Sequence, residues 1–404
     1  MKKQQDLLHT PDGVRDIYDL ECEQKLVIEE QLFATLRSFG YRPIETPSFE
    51  FFDVFGKEIG TTPSRELYKF FDRDGNTLVL RPDITPSVAR AAAKFYMEEE
   101  NPLRFCYKGR TFLNNLSYQG RLKESTQIGA ELLSDTSVDA DAEILAMAVH
   151  CLKNAGIEEF QIGIGHALYF AGLIEDAALP EETAEELREL IENKNFFGME
   201  ALLKDLSISD EIRTLFLAMG ELYSDAIDLE KLLTPAADHP KVLKALERLK
   251  KLDDASRLYG IEKHLSYELG MIGGYEYYTG IVFAGFSYGS GEPILRGGRY
   301  DKLLSQFGKN AAAIGFAFVT DQILSALNRQ KIPVEVQEAP TLLIYDKKHY
   351  KKALEEAEKI RKEGGAAELM RYDKHKTKDD YLAFAKERRQ TNIRFFITGT
   401  EAAD

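Results

Sequence analysis

RFCYKGRTFLNNLSYQGRLKESTQIGAELLS, residues 104–134, decides the fold class of this chain. Its first and last thirds read as two antiparallel strands joined by the polar loop NNLSYQGRLK. In ESTQIGAEL the two-residue period of a strand puts Gln127, Gly129 and Glu131 on one face. An amide and a carboxylate flanking a glycine is an unusual face for a core strand. One reading has Gln127 and Glu131 facing water on an open sheet. The other makes this face the floor of a pocket for a small polar ligand, with Gly129 leaving room.

Upstream, TLVLRPDIT (77–85) reads as a short buried strand running into the helix PSVARAAAKFYM. Thr85 is placed as N-cap and Pro86 at the first helical position. ECEQKLVIEEQLFATLRSF (21–39) predicts an amphipathic helix through Leu26, Leu32, Phe33, Leu36 and Phe39, with Gly40 as its C-cap. The extended YRPIETPSFEF follows, and Pro43 and Pro47 suit an edge or an interface.

Downstream, a helix (DAEILAMAVHCLKNAG) and a strand (EFQIGIGH) lead into a stretch of helices only, about 175–262. Strands return in LSYELG, YEYYTGIVFAGFS and EPILRGGRY, followed by NAAAIGFAFVTDQILSALNRQ. The pattern predicts an α+β core over 1–328 with a helical insertion. After the link KIPVEVQEAP, residues 329–404 alternate strand and helix, as expected of a small C-terminal α/β domain.

The 404 residues are 44% hydrophobic and 29% charged, a globular composition. No apolar stretch approaches the length of a membrane helix, and MKKQQDLLHTPDG lacks the apolar core of a secretory signal. Cys22, Cys106 and Cys151 are far apart and odd in number. They argue against a disulfide framework or a zinc site and fit a reducing cytoplasm. The net charge of −15 sets a low expectation for nucleic acid, whose phosphates call for a basic face. From residue 341 onward the chain has 15 Lys and Arg against 12 Asp and Glu, a tail of near-neutral charge.

PDGVRDIYDLE (11–21), LRPDIT (80–85), QIGAEL (127–132), YEYYTGIVF (275–283) and GGRYDKL (297–303) stand in the order of the histidyl-tRNA synthetase core. The chain therefore resembles that class II aminoacyl-tRNA synthetase family over roughly 8–328, with a tail like a shortened anticodon-binding domain. The resemblance implies a class II synthetase-like antiparallel sheet flanked by helices, and a dimer. It also implies a histidine pocket. Glu131 would accept the imidazole N–H, and Gln127 and Asp83 would accept from the ammonium. Thr85 could hydrogen-bond the ligand or only cap its helix. Tyr277 is preferred by motif alignment to close the imidazole side, with its neighbour Tyr278 on the opposite face. Asp83 stands where the synthetases usually carry glutamate, which keeps the charge on a shorter arm.

The nucleotide side is different. Adenylation needs cations on the ATP phosphates. At the three positions where the family's motifs carry arginine, this chain has Leu113, Gly273 and Gln322; Arg121 and Arg299 remain. No catalytic residue, metal or cofactor is expected. A histidine pocket without the chemistry resembles the regulatory subunits of short-form ATP phosphoribosyltransferases. That resemblance implies assembly with a short catalytic subunit, as a homodimer within a hetero-octamer, and feedback inhibition by L-histidine, with no tRNA and no membrane partner. A divergent synthetase and an RNA- or amino-acid-sensing paralogue are the competing classes.

Overall fold

The computed structural model describes residues 8–56, 62–115, 122–224, 226–272 and 278–398. It divides into two compact units, Met1–Val334 and Glu335–Asp404. The division falls six residues beyond the sequence boundary at 328/329, because Ile332 and Val334 still pack against the core of the first unit.

In chain order the strands of the first unit are β1 (Arg42–Pro43), β2 (Phe49–Phe51), β3 (Lys69–Phe71), β4 (Thr77–Leu80), β5 (Leu103–Phe112) and β6 (Glu124–Leu133). They continue as β7 (Phe160–His166), β8 (Leu265–Tyr267), β9 (Ile281–Ser287), β10 (Leu295–Arg299) and β11 (Ala313–Val319). Eight form one sheet in the order β1-β5-β6-β11-β10-β9-β7-β8. Its five central pairings are antiparallel, whereas β1 on β5 and β7 on β8 are parallel. Strand β1, with Pro43 in it, is an edge, where a missing N–H costs no ladder bond. β2, β4 and β3 make a separate antiparallel sheet of three strands.

One face of the large sheet is buried under helices. The helix Val138–Asn154 buries most of its circumference and leaves a polar stripe of Asp139, Glu143, His150 and Lys153 on its outer side. Ser137 caps it by accepting from the Ala140 N–H at 3.1 Å. The helix Asp19–Ser38 lies beside it and buries Leu32 and Leu36, with Phe33 and Phe39 packed against the core, as the spacing predicts; one position departs. Leu26 is exposed, while Lys25 and Glu29 are buried with Ile28, Leu32 and Leu36. Lys25 can be buried because its ammonium meets Asp321 at 3.1 Å and Glu29 at 3.7 Å. A partner 296 residues away overrides the local pattern.

The helical run begins at Ala167, eight residues before the sequence reading placed it, and ends with Pro240–Leu258. Its members Glu181–Glu192, Phe196–Asp205 and Asp210–Leu217 bury leucines such as Leu187, Leu203 and Leu215 in the same core cluster. In the second unit β12 (Thr341–Tyr345), β13 (Ala367–Arg371) and β14 (Ile393–Phe396) form a parallel sheet in the order β13-β12-β14. Helices Tyr350–Lys362 and Lys378–Glu387 provide the crossovers that parallel pairing demands.

Candidate functional site

The opposite face of the large sheet, covered in part by the helix Thr85–Phe95 and by Tyr300, Leu303 and Leu304, carries the site, and strand register determines what stands on it. Glu131 of β6 is opposite Gly315 of β11, which is opposite Gly298 of β10. One pleat along, Tyr107 of β5, Gly129, Ala317, Arg296 and Ala284 of β9 stand in a row. The glycines make room for protein rather than for a ligand. A Cβ on Gly129 would lie 2.5 Å from the Tyr107 hydroxyl, and one on Gly298 would lie 2.5 Å from the Tyr278 ring. A Cβ on Gly315 would lie 1.6 Å from Glu131 Oε2. The space that the sequence reading assigned to a ligand above Gly129 is therefore filled by Tyr107. Only the register could show it.

Glu131 is 1% exposed and accepts three hydroxyls. Thr85 Oγ1 donates to Oε1 at 2.7 Å, Tyr107 donates to the same oxygen at 3.1 Å, and Tyr300 donates to Oε2. Burial pushes its pKa up to about 8, against the opposing pull of the Tyr300 and Thr85 hydroxyls. Burial raises Tyr107 and Tyr300 well above the usual phenol value, and the Glu131 charge adds to it, so both remain O–H donors.

Thr85 is not a cap. It is the first residue of the helix Thr85–Phe95, whose N-cap position is Ile84. Asp83 takes the capping role instead, accepting at Oδ1 from the N–H of Ile84 at 2.7 Å and of Thr85 at 3.4 Å. The Thr85 hydroxyl is thereby released to Glu131. Burial raises the Asp83 pKa, and these two N–H groups oppose it.

A cavity of about 100 Å3 opens over this floor. Asp83, Thr85, Gln127 and Tyr278 all line it, with Tyr300 and Arg296. Glu131 lies directly beneath, reached through Thr85, Tyr300 and Gly315. Gln127 Oε1 is buried without a hydrogen-bond partner among the described residues. An orphaned carbonyl oxygen aimed into a polar cavity is an acceptor waiting for a donor. The arrangement offers acceptors on one side, suited to an ammonium and a ring N–H. Tyr277, the tyrosine preferred from the motif, lies outside the described residues, as do Gly273 and Arg121.

Tyr278 and Arg296 also line an adjoining cleft of about 660 Å3 beneath the helical run. Its charged lining is Glu192, Glu221, Glu268, Glu292, Lys194 and Arg296, and Lys194 is 3.6 Å from Glu268. Leu113 lines the smaller cavity where the family's first arginine would be. Gln322 stands on the helix Thr320–Gln330. Arg299 points to the opposite face, into Asp141, and serves the core. Among the described residues no cluster of His, Cys, Asp and Glu could hold a metal ion. No described helix is long and apolar enough to cross a membrane.

Gly315→Ala tests the packing of this floor. The added methyl overlaps the Glu131 carboxylate, so the variant should lose about 1–3 kcal/mol in urea denaturation, the usual cost of overpacking. An unchanged midpoint would mean that Glu131 does not lie over Gly315.

Sequence reasoning missed Tyr107, Tyr300 and Arg296. Tyr300 was inside a quoted motif, GGRYDKL, but nothing local pointed its hydroxyl at Glu131, 169 residues away. A strand tyrosine sharing a face with Gly109 was the only available hint for Tyr107.

The family model for histidyl-tRNA synthetase matches residues 13–323. An ATP phosphoribosyltransferase regulatory subunit of Acetivibrio thermocellus is 40% identical over 365 residues, 90% of this chain and 86% of that protein. One from Ruminiclostridium cellulolyticum is 40% identical over 88% of this chain and 85% of its own length. A crystal structure of an ATP phosphoribosyltransferase regulatory subunit/histidyl-tRNA synthetase from Bacillus halodurans superposes with a TM-score of 0.86 at 29% identity, covering 98% of this chain and 99% of that one. Histidyl-tRNA synthetase from Nostoc shares the fold, with a TM-score of 0.79 at 18% identity over 97% of this chain and 92% of that one. Matched by relatives at 40% identity over about nine-tenths of its length, the chain belongs to the ATP phosphoribosyltransferase regulatory subunits, a family built on the histidyl-tRNA synthetase fold.

Proposed function

We propose that this chain is a regulatory subunit without catalytic activity of its own, which binds L-histidine in the cavity over β6, β11 and β10. It assembles with a short ATP phosphoribosyltransferase catalytic subunit and conveys feedback inhibition to it. The observation that carries this reading is the division of charge. The cavity keeps the acceptors Asp83 and Gln127, with Glu131 beneath it, whereas the described lining of the cavity and cleft has only Lys194 and Arg296 as cations. Four glutamates in the cleft repel a triphosphate, and adenylation requires stabilisation of developing negative charge. The relatives named as regulatory subunits support the partner.

In this reading each ligand group has its own receptor. Asp83 and the orphaned Gln127 oxygen receive the ammonium, Glu131 and its hydroxyl partners receive the imidazole, and Tyr278 bounds the ring. Regulation requires that histidine bind two assembly states with different affinity. In this reading the chain works as a homodimer inside a hetero-octamer and has no use for tRNA.

Reconstitution tests it. Mixed with a short catalytic subunit, the chain should elute as a larger species and give phosphoribosyl transfer that histidine inhibits. Two separate peaks with no gain of activity would exclude the reading. Histidine-dependent pyrophosphate exchange by the chain alone would instead support a synthetase.

A further inference from the structure

The amino-acid cavity has an acceptor-rich wall, and an α-amino acid also brings a carboxylate. From the position of Arg296 we infer that its guanidinium is the carboxylate anchor of this site and the residue by which the site distinguishes a free amino acid from its decarboxylated amine. The inference rests on the proposed reading of the cavity as an amino-acid site.

Three observations carry it. Arg296 is the one cation among the described residues lining the cavity. It belongs to the ligand face: on β10 it shares a side with Gly298, which lies under the Tyr278 ring, and it pairs across to Ala317 in the row of Gly129. Finally, it is exposed and has no hydrogen bond or ion pair to any described residue, unlike Arg299 three positions on, which is held by Asp141.

The spacing fits an amino acid between the two walls. Gln127 and Arg296 are separated by β11 and by one pleat. With strands about 4.8 Å apart and about 3.4 Å per residue, their Cα atoms are ~12 Å apart. Two long side chains reaching inward leave the width of an amino-acid backbone. Between them the floor is Ala317, which lines the cavity. A guanidinium can take a carboxylate in a two-bond fork, and in a site with Asp83 in its lining and Glu131 beneath, it is also the group that makes a carboxylate tolerable. Without it, Asp83 and Glu131 would favour an amine over an amino acid.

The test is calorimetric titration of the full-length chain with histidine and with histamine, which lacks the carboxylate. Wild type should prefer histidine by about 100-fold, within the range of a charge-assisted pair. Arg296→Ala should lose histidine affinity by about 30- to 100-fold and keep that for histamine, so that the preference disappears. Arg296→Lys should restore part of it. Because Arg296 is exposed, the thermal midpoints should match. If Arg296→Ala retains the wild-type ratio of the two affinities while Glu131→Gln loses both ligands, the anchor is wrong and the site stands. If the wild-type chain binds neither ligand, the site reading fails and this inference fails with it.

Discussion

Asp141→Ala is expected to lower the unfolding free energy by about 3–5 kcal/mol, the cost of leaving buried cations without their anion. Asp141 is fully buried, and two arginines converge on it from different elements. Arg299 of β10 donates to Oδ1 from Nε at 2.9 Å and from Nη2 at 2.5 Å. Arg248, from the last helix of the helical run, donates to Oδ2 at 2.8 Å. Both also donate to backbone carbonyls of the turn before the Val138–Asn154 helix. Arg299 reaches Asp135 and Ser137, and Arg248 reaches Thr136 and Ser137.

One carboxylate thus joins the central sheet, its covering helix and the helical run. Its removal leaves Arg299, 5% exposed, without its main anion and with Asp301 at 3.3 Å as a lesser one. Arg248 is partly exposed and can turn to water, so Arg248→Ala should cost less, about 1–2 kcal/mol. Urea denaturation of the two variants measures the difference. A loss under about 1 kcal/mol for Asp141→Ala would show that water solvates the arginines and that the network is not a structural joint.

Glu131→Gln should remove histidine binding by at least about 100-fold, because the site loses the anion that receives the ring N–H. Glutamine keeps the shape and can still accept from Thr85 and Tyr107, so the variant should fold. Alanine would additionally strand three buried hydroxyls, at about 1–3 kcal/mol for an unsatisfied group. Unchanged calorimetric affinity in Glu131→Gln would refute the assignment.

The same residue gives stability a pH dependence. The Glu131 pKa rises from the ordinary carboxylate range to about 8 on folding. Over that window the folded state holds a proton that the unfolded state has lost. Its contribution is complete below about pH 4 and declines as pH rises through 8, by on the order of a few kcal/mol. Glu131→Gln has no such proton and should show a flatter profile between pH 5 and 9. Histidine should act in the opposite sense, since a ligand donating to the ionised carboxylate releases its proton. The binding enthalpy should therefore vary with the ionisation heat of the buffer. Profiles of equal slope in the two proteins would remove Glu131 as the source.

Local pattern and ordered motifs determined a great deal about this chain. The two-residue period put Gln127, Gly129 and Glu131 on one face, and β6 places them there. Strand–helix alternation marked the tail as a small α/β unit, and five motifs in order pointed to the synthetase fold. These features are encoded within a few residues of one another, or in their sequence order, so a linear reading reaches them.

Tertiary structure alone decided what fills each space. Gly129 yields to Tyr107, Gly315 to Glu131 and Gly298 to Tyr278, through strand pairings that bring together residues up to 184 positions apart. Thr85 leaves the cap to Asp83 because a buried carboxylate 46 residues on takes its hydroxyl. Lys25 replaces Leu26 in the buried stripe because Asp321 neutralises it. Periodicity tells which side of an element a residue faces. Which residue it meets there depends on strand order and register, and these are determined by the packing of the whole core.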